Sequence, residues 1–195
     1  MRISRHIISM TAGIAVVCVY AVPSVAAAPM TVTVETRDWV RIGFSGEVDR
    51  AALVLTSNYE IVGAADPAYA APRRPSRIGR ESRLLEFPEY PNHSLAATNG
   101  HWACLEVPSP LKSGNAYTVT VRNVDGAMRS RSFLFDDAAN INVNIKVNQA
   151  GYAPESQTKY GYAGGYLGDA GALPLEFAGT AVVCNAMTHA PASTA

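Results

Sequence analysis

The sequence predicts an all-β protein: an immunoglobulin-like β-sandwich followed by a partial second immunoglobulin-like sandwich. Apolar and polar residues alternate in several short runs, which is typical of half-buried strands. Glycine, proline, asparagine and aspartate separate these runs, and no segment has the periodicity of an amphipathic helix. Six or seven short strands in about 110 residues are the number that such a sandwich requires.

Residues 30–44 predict a strand, a short turn and a second strand. Apolar side chains alternate with polar ones on both sides of Arg37 and Asp38, which supply the turn. Residues 51–57 are largely apolar and predict a third, more fully buried strand, and residues 59–62 predict a fourth.

Residues 64–83 predict a long loop, because proline lacks the amide hydrogen that a sheet ladder needs. Five arginines fall in this stretch, and they form either a basic patch for an acidic partner or a solvated insertion. They are Arg73, Arg74, Arg77, Arg80 and Arg83. Farther along, Trp102, Leu105 and Val107 predict one more strand.

Residues 117–121 alternate cleanly and predict a strand that pairs with residues 130–135. Asp125 and Gly126 lie between the two runs and favour a hairpin, since a type I′ turn needs residues that accept a positive φ. The stretch from residue 113 to residue 122 resembles the penultimate strand of bacterial immunoglobulin-like and fibronectin-type-III-like modules. The resemblance implies the same sandwich architecture for residues 28–138.

Residues 1–27 have the three parts of a secretory signal peptide: the basic Arg2 and Arg5, an apolar stretch, and small residues before the cleavage site. We therefore expect a secreted or periplasmic chain with no membrane attachment after cleavage. Lys and Arg (16) balance Asp and Glu (16), so no net charge field attracts nucleic acid. An oxidising compartment permits Cys104 and Cys184 to pair, although they lie in different predicted modules.

A second module is expected over residues 139–185, and a disordered tail over residues 186–195. Residues 143–147 alternate again, and Tyr160 and Tyr162 begin the next predicted strand. A complete immunoglobulin-like sandwich needs about 100 residues to bury both inner faces, so this module is predicted to be partial.

Residues 145–154 read Ile-Lys-Val-Asn-Gln-Ala-Gly-Tyr-Ala-Pro. This string resembles the opening of the N-terminal immunoglobulin-like domain of family 9 glycoside hydrolases, and residues 159–175 also resemble members of that family. The role expected for the string is structural, because glycine permits unusual backbone angles, proline fixes φ, and the amide side chains hydrogen-bond the turn. The matching positions are Val147, Asn148, Gln149, Gly151, Tyr152 and Pro154.

The resemblance implies a non-catalytic accessory region of a secreted cellulase-type hydrolase that degrades polysaccharide. In that family the domain packs against an (α/α)6 barrel with inverting endoglucanase activity, and this chain carries no sequence for such a barrel. The family's catalytic motif is Asp-Ala-Gly-Asp, whereas Asp169-Ala-Gly171 is followed here by Ala172. We therefore expect Asp169 to be a turn residue, and no catalytic residue is predicted.

The alternative is a free-standing secreted module that binds carbohydrate or a cell surface. Tyr69 and Tyr90 fall in predicted loops, where an aromatic face is available to pack on a sugar ring. They are the candidate contacts with polysaccharide.

No cofactor or metal-ligand set is predicted, because His93, His101 and His189 are scattered through predicted loops without a second histidine nearby. A structural calcium ion between the modules stays open. Asp136 and Asp137 offer hard oxygen ligands for it, but two adjacent aspartates are more commonly part of a solvated linker.

Overall fold

The computed structural model of the chain describes residues 30–86, 98–140, 144–147, 151, 153, 155–175, 182–185, 187–188 and 190–194. The predicted signal peptide, residues 1–27, lies outside these residues. In the part of the chain that is described, no helix is long and apolar enough to cross a bilayer.

Seven antiparallel strands within residues 30–86 and 98–135 form a β-sandwich. They are β1 (Met30–Thr36), β2 (Trp39–Ser45), β3 (Tyr59–Val62), β4 (Arg77–Glu86), β5 (Thr98–Glu106), β6 (Asn115–Val121) and β7 (Arg129–Phe135). One sheet has the strand order β1-β2-β5-β4, and the other has the order β3-β6-β7. This arrangement of four and three strands is that of the constant-type immunoglobulin fold, and the predicted fold class is confirmed.

The opening hairpin places its alternating side chains as the sequence predicts. Strands β1 and β2 pair across the short turn at Arg37 and Asp38. The inward side chains of β2 are Val40, Ile42 and Phe44, which are buried and share one core cluster with residues of the opposite sheet. The core therefore lies between the sheets, and the outer face of the four-stranded sheet is left to pack against other residues.

Tyr117 of β6 fixes the corner between β5 and β6. Its hydroxyl accepts a hydrogen bond from the backbone N–H of Lys112 (2.9 Å) and donates one to a carboxylate oxygen of Asp66 (2.9 Å). A tyrosine at this place that bonds back to the backbone is a hallmark of immunoglobulin-like sandwiches. Asp66 is fully buried, and the ammonium group of Lys112 also reaches it at 2.9 Å.

Asp66 should make the fold sensitive to acid. The hydrogen bond from Lys112, with those from Tyr117 and the backbone of Ala68, holds the pKa of Asp66 below its ordinary value despite burial. A carboxyl group with a lowered folded-state pKa stabilises the fold above its unfolded-state pKa, and this contribution is lost as the pH falls through the folded-state value. We expect the free energy of unfolding to decrease as the pH falls from neutrality to values below the ordinary aspartate pKa of 3.8.

Urea denaturation across that pH range measures the effect. The Asp66→Asn variant should be less stable at neutral pH and should depend less steeply on acid, because it lacks the titrating group. Asp38→Asn is the matched control, since the Asp38 side chain is 46% exposed. Equal acid slopes for Asp66→Asn and the parent chain would contradict the prediction.

Residues 51–57 do not form the predicted third strand. Two short 3₁₀ turns, Ala52–Val54 and Thr56–Asn58, occupy this stretch. A carboxylate oxygen of Asp49 accepts hydrogen bonds from the backbone N–H groups of residues 51 and 52, which starts the first turn. Leu53 is buried while Leu55 is exposed, so the apolar run meets the core at a single turn rather than along a strand.

The prediction of a loop over residues 64–83 is wrong for residues 77–83, which belong to strand β4. Proline does keep the first half irregular, with a 3₁₀ turn at Pro67–Tyr69. In β4, the guanidinium groups of Arg77 and Arg83 lie 5.2 and 4.5 Å from the ring centroids of Trp39 and Trp102. These cation–π contacts cover the outer face of the strand, which explains why basic residues fit there.

The hairpin of β6 and β7 is confirmed, but its loop is not the predicted two-residue turn. Val121 pairs with Arg129, so the loop spans residues 122–128. Positive φ values occur at Asn123 (+59°) and Gly126 (+77°). The loop therefore reverses the chain with two left-handed residues that are three positions apart.

The chain after the sandwich contributes short ribbons in its described residues. Strand β8 (Ile145–Val147) pairs with β9 (Gly161–Ala163), and β10 (Val182–Cys184) pairs with β11 (Pro191–Thr194). Strand β11 lies where the sequence predicts a disordered tail, over residues 186–195. The division into modules at residues 138 and 139 stays a prediction.

Candidate functional site

Tyr69 is not an exposed contact for carbohydrate. Its side chain is 0% exposed, its ring packs edge-on against Tyr117 at 5.4 Å, and its hydroxyl donates a hydrogen bond to the carbonyl of Ser109. Burial raises the pKa of Tyr69 to about 12. The expectation for Tyr69 is therefore corrected, because a ring enclosed by the core has no face to offer to a sugar. Tyr90 lies outside the described residues.

The string that resembles the family 9 domain is described only in part. Val147 is an exposed residue of β8, and Gly151 has a φ of +83°, a conformation that favours glycine. The other four positions, Asn148, Gln149, Tyr152 and Pro154, lie outside the described residues.

Asp169 attaches the following chain segment to the sandwich. It lies in the 3₁₀ turn Gly168–Ala170, and its carboxylate accepts a hydrogen bond from the backbone N–H of Arg80 (2.6 Å). Because β4 is an edge strand, this N–H belongs to the rim of the sheet, which a neighbouring segment has to cover. This hydrogen bond holds the turn of Asp169 against strand β4.

A second apolar cluster lies on the outer face of the four-stranded sheet. Trp39 of β2 and Cys104 of β5 pack there against Leu167 and Leu173. Cys104 is a buried free thiol, and burial raises its pKa to about 11. The cluster and Asp169 together hold residues 167–173 against the sandwich.

A cleft of about 480 Å³ lies beside this cluster, between the outer face of the sheet and the segment that covers it. The sheet supplies its floor, and residues 144–146 and 164–166 supply one wall. The lining residues with polar or charged side chains on the floor side are Thr33, Glu35, Arg41, Glu81 and Arg83, and Asn144 belongs to the wall. This cleft is the candidate site.

Arg41 holds the floor of the cleft together. Its guanidinium donates to Glu35 and to Glu81 at 2.6 Å each, and to the carbonyl of Tyr166 at 2.5 Å. Burial opposes its charge, but nearby Cys104, Glu35 and Glu81 together raise the pKa of Arg41 above its ordinary value. Arg41 therefore joins three chain segments as a permanent cation.

Glu35 is the most deeply placed group of the floor. Its side chain is only 2% exposed, and the side-chain amide of Asn144 donates a second hydrogen bond to it. Burying a carboxylate requires such partners, because an unpaired charge in a protein interior is very unfavourable. Asn144 thereby ties the start of the following segment to strand β1.

Trp102 forms a flat surface next to the cleft. A Cβ atom on Gly43 or Gly100 would lie 3.0 or 2.4 Å from atoms of its indole ring, so the ring rests directly on these two glycines. Arg83 covers the ring and lies 3.6 Å from the Glu81 carboxylate. The glycines thus place an aromatic ring and a guanidinium at the edge of the cleft.

Lys146 and Tyr166, from the chain after the sandwich, also line the cleft. Tyr166 is 58% exposed, although its carbonyl is fixed by Arg41. The ion pairs formed among the described residues do not include Lys146. The opening therefore combines an anchored aromatic ring with cationic groups.

His101 and Asp136 make contacts within the fold, and the backbone N–H of Asp137 donates a hydrogen bond to the hydroxyl of Ser113. His101 is buried, its Nδ1 lies 2.7 Å from the hydroxyl oxygen of Ser82, and burial lowers its pKa. Asp136 accepts a hydrogen bond from the backbone N–H of Ala138 (2.9 Å), within a turn. Among the described residues no group of three or more His, Cys, Asp or Glu side chains is placed to hold a metal ion. His93 and His189 lie outside those residues.

The sequence did not reveal the cleft, because its charged residues lie far apart along the chain. Asn144 and Glu35 are 109 positions apart, and Arg41 and Glu81 are 40 apart. One available indication was the set of strand-interior glycines, Gly43, Gly79 and Gly100. Glycine within a strand often marks the close approach of another group, and here all three have atoms pressed against them.

No protein-family model and no curated protein matches this chain. Among solved structures, the N-terminal part of the bacterial S-layer protein SbsC is similar, with a TM-score of 0.39 and 15% sequence identity. The similarity covers 83% of this chain and 36% of that chain, so this chain spans well under two thirds of that structure.

Proposed function

We propose that this chain is a non-catalytic, accessory immunoglobulin-like region of a secreted, cellulase-type enzyme that degrades polysaccharide. The observation that carries the proposal is the arrangement of Glu35 and Glu81 around Arg41. Both carboxylates accept a hydrogen bond from the same guanidinium at 2.6 Å. A glycosidase instead needs one carboxyl group that donates a proton and a second that activates water or attacks the sugar. Both acidic groups of this cleft are therefore paired with the same cation, Arg41.

The parent class comes from the resemblance of residues 145–154 and 159–175 to the family 9 immunoglobulin-like domain. The packing of the second stretch supports an accessory role. Leu167 and Leu173 are buried against the sandwich, and Asp169 bonds to its edge strand. A sandwich that fixes the chain segment following it is suited to supporting a neighbouring domain.

The purified chain from residue 28 onward should release no reducing sugar from soluble cellulose derivatives or mixed-linkage glucan above a boiled control. Glu81→Gln is the matched variant, because it removes one carboxylate of the cleft and keeps the shape of the side chain. Dose-dependent release by the parent chain that disappears in folded Glu81→Gln would overturn the proposal. Release that is the same in both would come from a contaminating enzyme and would leave the proposal standing.

The cellulase part of the proposal has its own test. A family 9 catalytic barrel prepared without its immunoglobulin-like domain should melt at a higher temperature when this chain is added in excess, because a partner that binds the folded state stabilises it. An unchanged melting temperature would contradict the assignment to this class of parent enzyme.

A free-standing carbohydrate-binding or cell-surface-binding module is the second candidate. The cleft, rather than the buried Tyr69, favours it, since Tyr166 and two cationic side chains meet at its opening.

A further inference from the structure

The outer cleft has the dimensions of a small-molecule site. Its volume of about 480 Å³ lies within the range of about 300 to 1,000 Å³ that is usual for ligand pockets. One part of its wall is open, since a Cβ atom added to Gly164 would meet nothing within 4 Å. The cleft can therefore admit part of an extended chain molecule as well as a small one.

The floor of the cleft is already rigid without a ligand. Arg41 is held by three hydrogen bonds, and it links Glu35, Glu81 and the backbone of Tyr166. A ligand that enters would meet groups whose positions are fixed, so little conformational entropy is lost on binding. Each nitrogen of the Arg41 guanidinium already donates to a protein acceptor, so recognition depends mainly on the groups at the rim.

The rim of the cleft is cationic. Arg41 and the two carboxylates of the floor together carry a net charge of −1, whereas Arg83 and Lys146 add two positive charges at the opening and make the cleft cationic as a whole. The Arg83 side chain is 61% exposed, and its pairing with Glu81 is a loose one at 3.6 Å. Guanidinium and ammonium groups in this setting favour a ligand that carries a carboxylate.

Tyr166 adds an apolar surface to this cationic rim. Its ring is largely exposed while its backbone is fixed, on one side by Arg41 and on the other by the buried Leu167. An anchored aromatic ring offers a large contact area at low entropic cost. A sugar ring, with its apolar C–H face, suits this surface, and its hydroxyl groups suit Thr33 and Glu81.

We propose that the cleft binds a carboxylate-bearing sugar residue of an acidic polysaccharide, with Arg83 and Lys146 receiving the carboxylate and Tyr166 receiving the face of the sugar ring. The proposal deepens the proposed function, on which it rests for the polysaccharide context. It adds a binding site that is independent of any neighbouring catalytic domain.

Isothermal titration calorimetry on the chain from residue 28 onward tests the site. The probes are an oligogalacturonate, the same oligomer with its carboxylates reduced to alcohols, and acetate. We expect binding of the acidic oligomer that weakens with added salt, and affinities at least about tenfold lower for the reduced oligomer and for acetate. Equal affinities for the acidic and reduced oligomers would overturn the role of the cations. Acetate binding as tight as the oligomer would overturn the role of the sugar, and no binding would overturn the site.

Four variants locate the site. Arg83→Ala, Lys146→Ala and Tyr166→Ala should each weaken binding of the acidic oligomer by about tenfold, while Arg131→Ala, an exposed arginine of β7 on the other sheet, should not. Circular dichroism verifies that each variant is folded. Binding that all three cleft variants leave unchanged would overturn the proposal. If the parent chain neither binds nor hydrolyses the oligomer, the binding site is refuted and the accessory function stands. If the parent chain hydrolyses the oligomer, the accessory function is refuted. The two failures are therefore distinguishable.

Discussion

Replacing Tyr117 with alanine should lower the free energy of unfolding by about 3 to 5 kcal/mol, the cost of removing a large aromatic side chain from a core. The ring is 1% exposed and contacts two other aromatic rings, with centroid distances of 5.4 Å to Tyr69 and 5.8 Å to Phe133. Domains of this size are stable by about 5 to 15 kcal/mol. The substitution would therefore remove a large fraction of the total stability.

Tyr117→Phe separates the hydroxyl group from the ring. It should cost about 1 to 2 kcal/mol, because buried Asp66 loses a hydrogen-bond donor and the N–H of Lys112 loses its acceptor. Chemical denaturation of the chain measures both variants. Tyr162→Ala is the control, since Tyr162 is 72% exposed and its removal should change stability by less than about 0.5 kcal/mol. A Tyr117→Ala variant as stable as the control would refute the tyrosine corner.

The sequence allowed the sandwich to be predicted because period-two alternation reports directly on which side chains face inward. In β2 and in β6 every second residue is apolar, and these residues are buried in the core. Turn chemistry was less informative. Gly126 has the positive φ that the Asp125-Gly126 pair suggested, but Asn123 shares the reversal, and the loop length depends on pairing between distant residues.

The two corrections to the strands have a common physical cause. Residues 51–57 are apolar enough for a strand, and the prolines within residues 64–83 favoured a loop, yet composition does not show what a side chain will contact. Leu53 reaches the core from a 3₁₀ turn, and Arg77 and Arg83 pack on tryptophan rings of β2 and β5 in the same sheet. Tertiary contacts therefore outweighed local preference in both places.

The cleft, like the two strand corrections, depends on tertiary contacts that composition does not show. Its groups come from β1, β2, β4 and the chain after the sandwich, and they meet only when the following segment covers the outer face. Asp169 stood out in the sequence for its likeness to a catalytic motif. In the structure its carboxylate accepts a hydrogen bond from the backbone N–H of Arg80, which holds that segment against the edge strand.

Gly79→Ala should release this segment. A Cβ atom at Gly79 would lie 1.9 Å from the carbonyl oxygen of Leu167 and 2.7 Å from the side chain of Ala170. Backbone cannot rotate away as a flexible side chain does, so we expect a loss of about 3 kcal/mol, the upper end of overpacking costs. The loss should fall on the docking of residues 167–173, because the core between the two sheets is untouched.

The thiol of Cys104 reports on that docking, since it is buried under Leu167 and Leu173. In a chain from residue 28 onward that carries Cys184→Ser, Cys104 is the one cysteine in the sequence. If the 3 kcal/mol appears as local opening, Gly79→Ala should raise the labelling rate of Cys104 by about a hundredfold. Gly164→Ala is the matched control, because a Cβ atom there meets nothing within 4 Å and the rate should not change. Equal labelling rates for the two variants would show that the outer face does not depend on this contact.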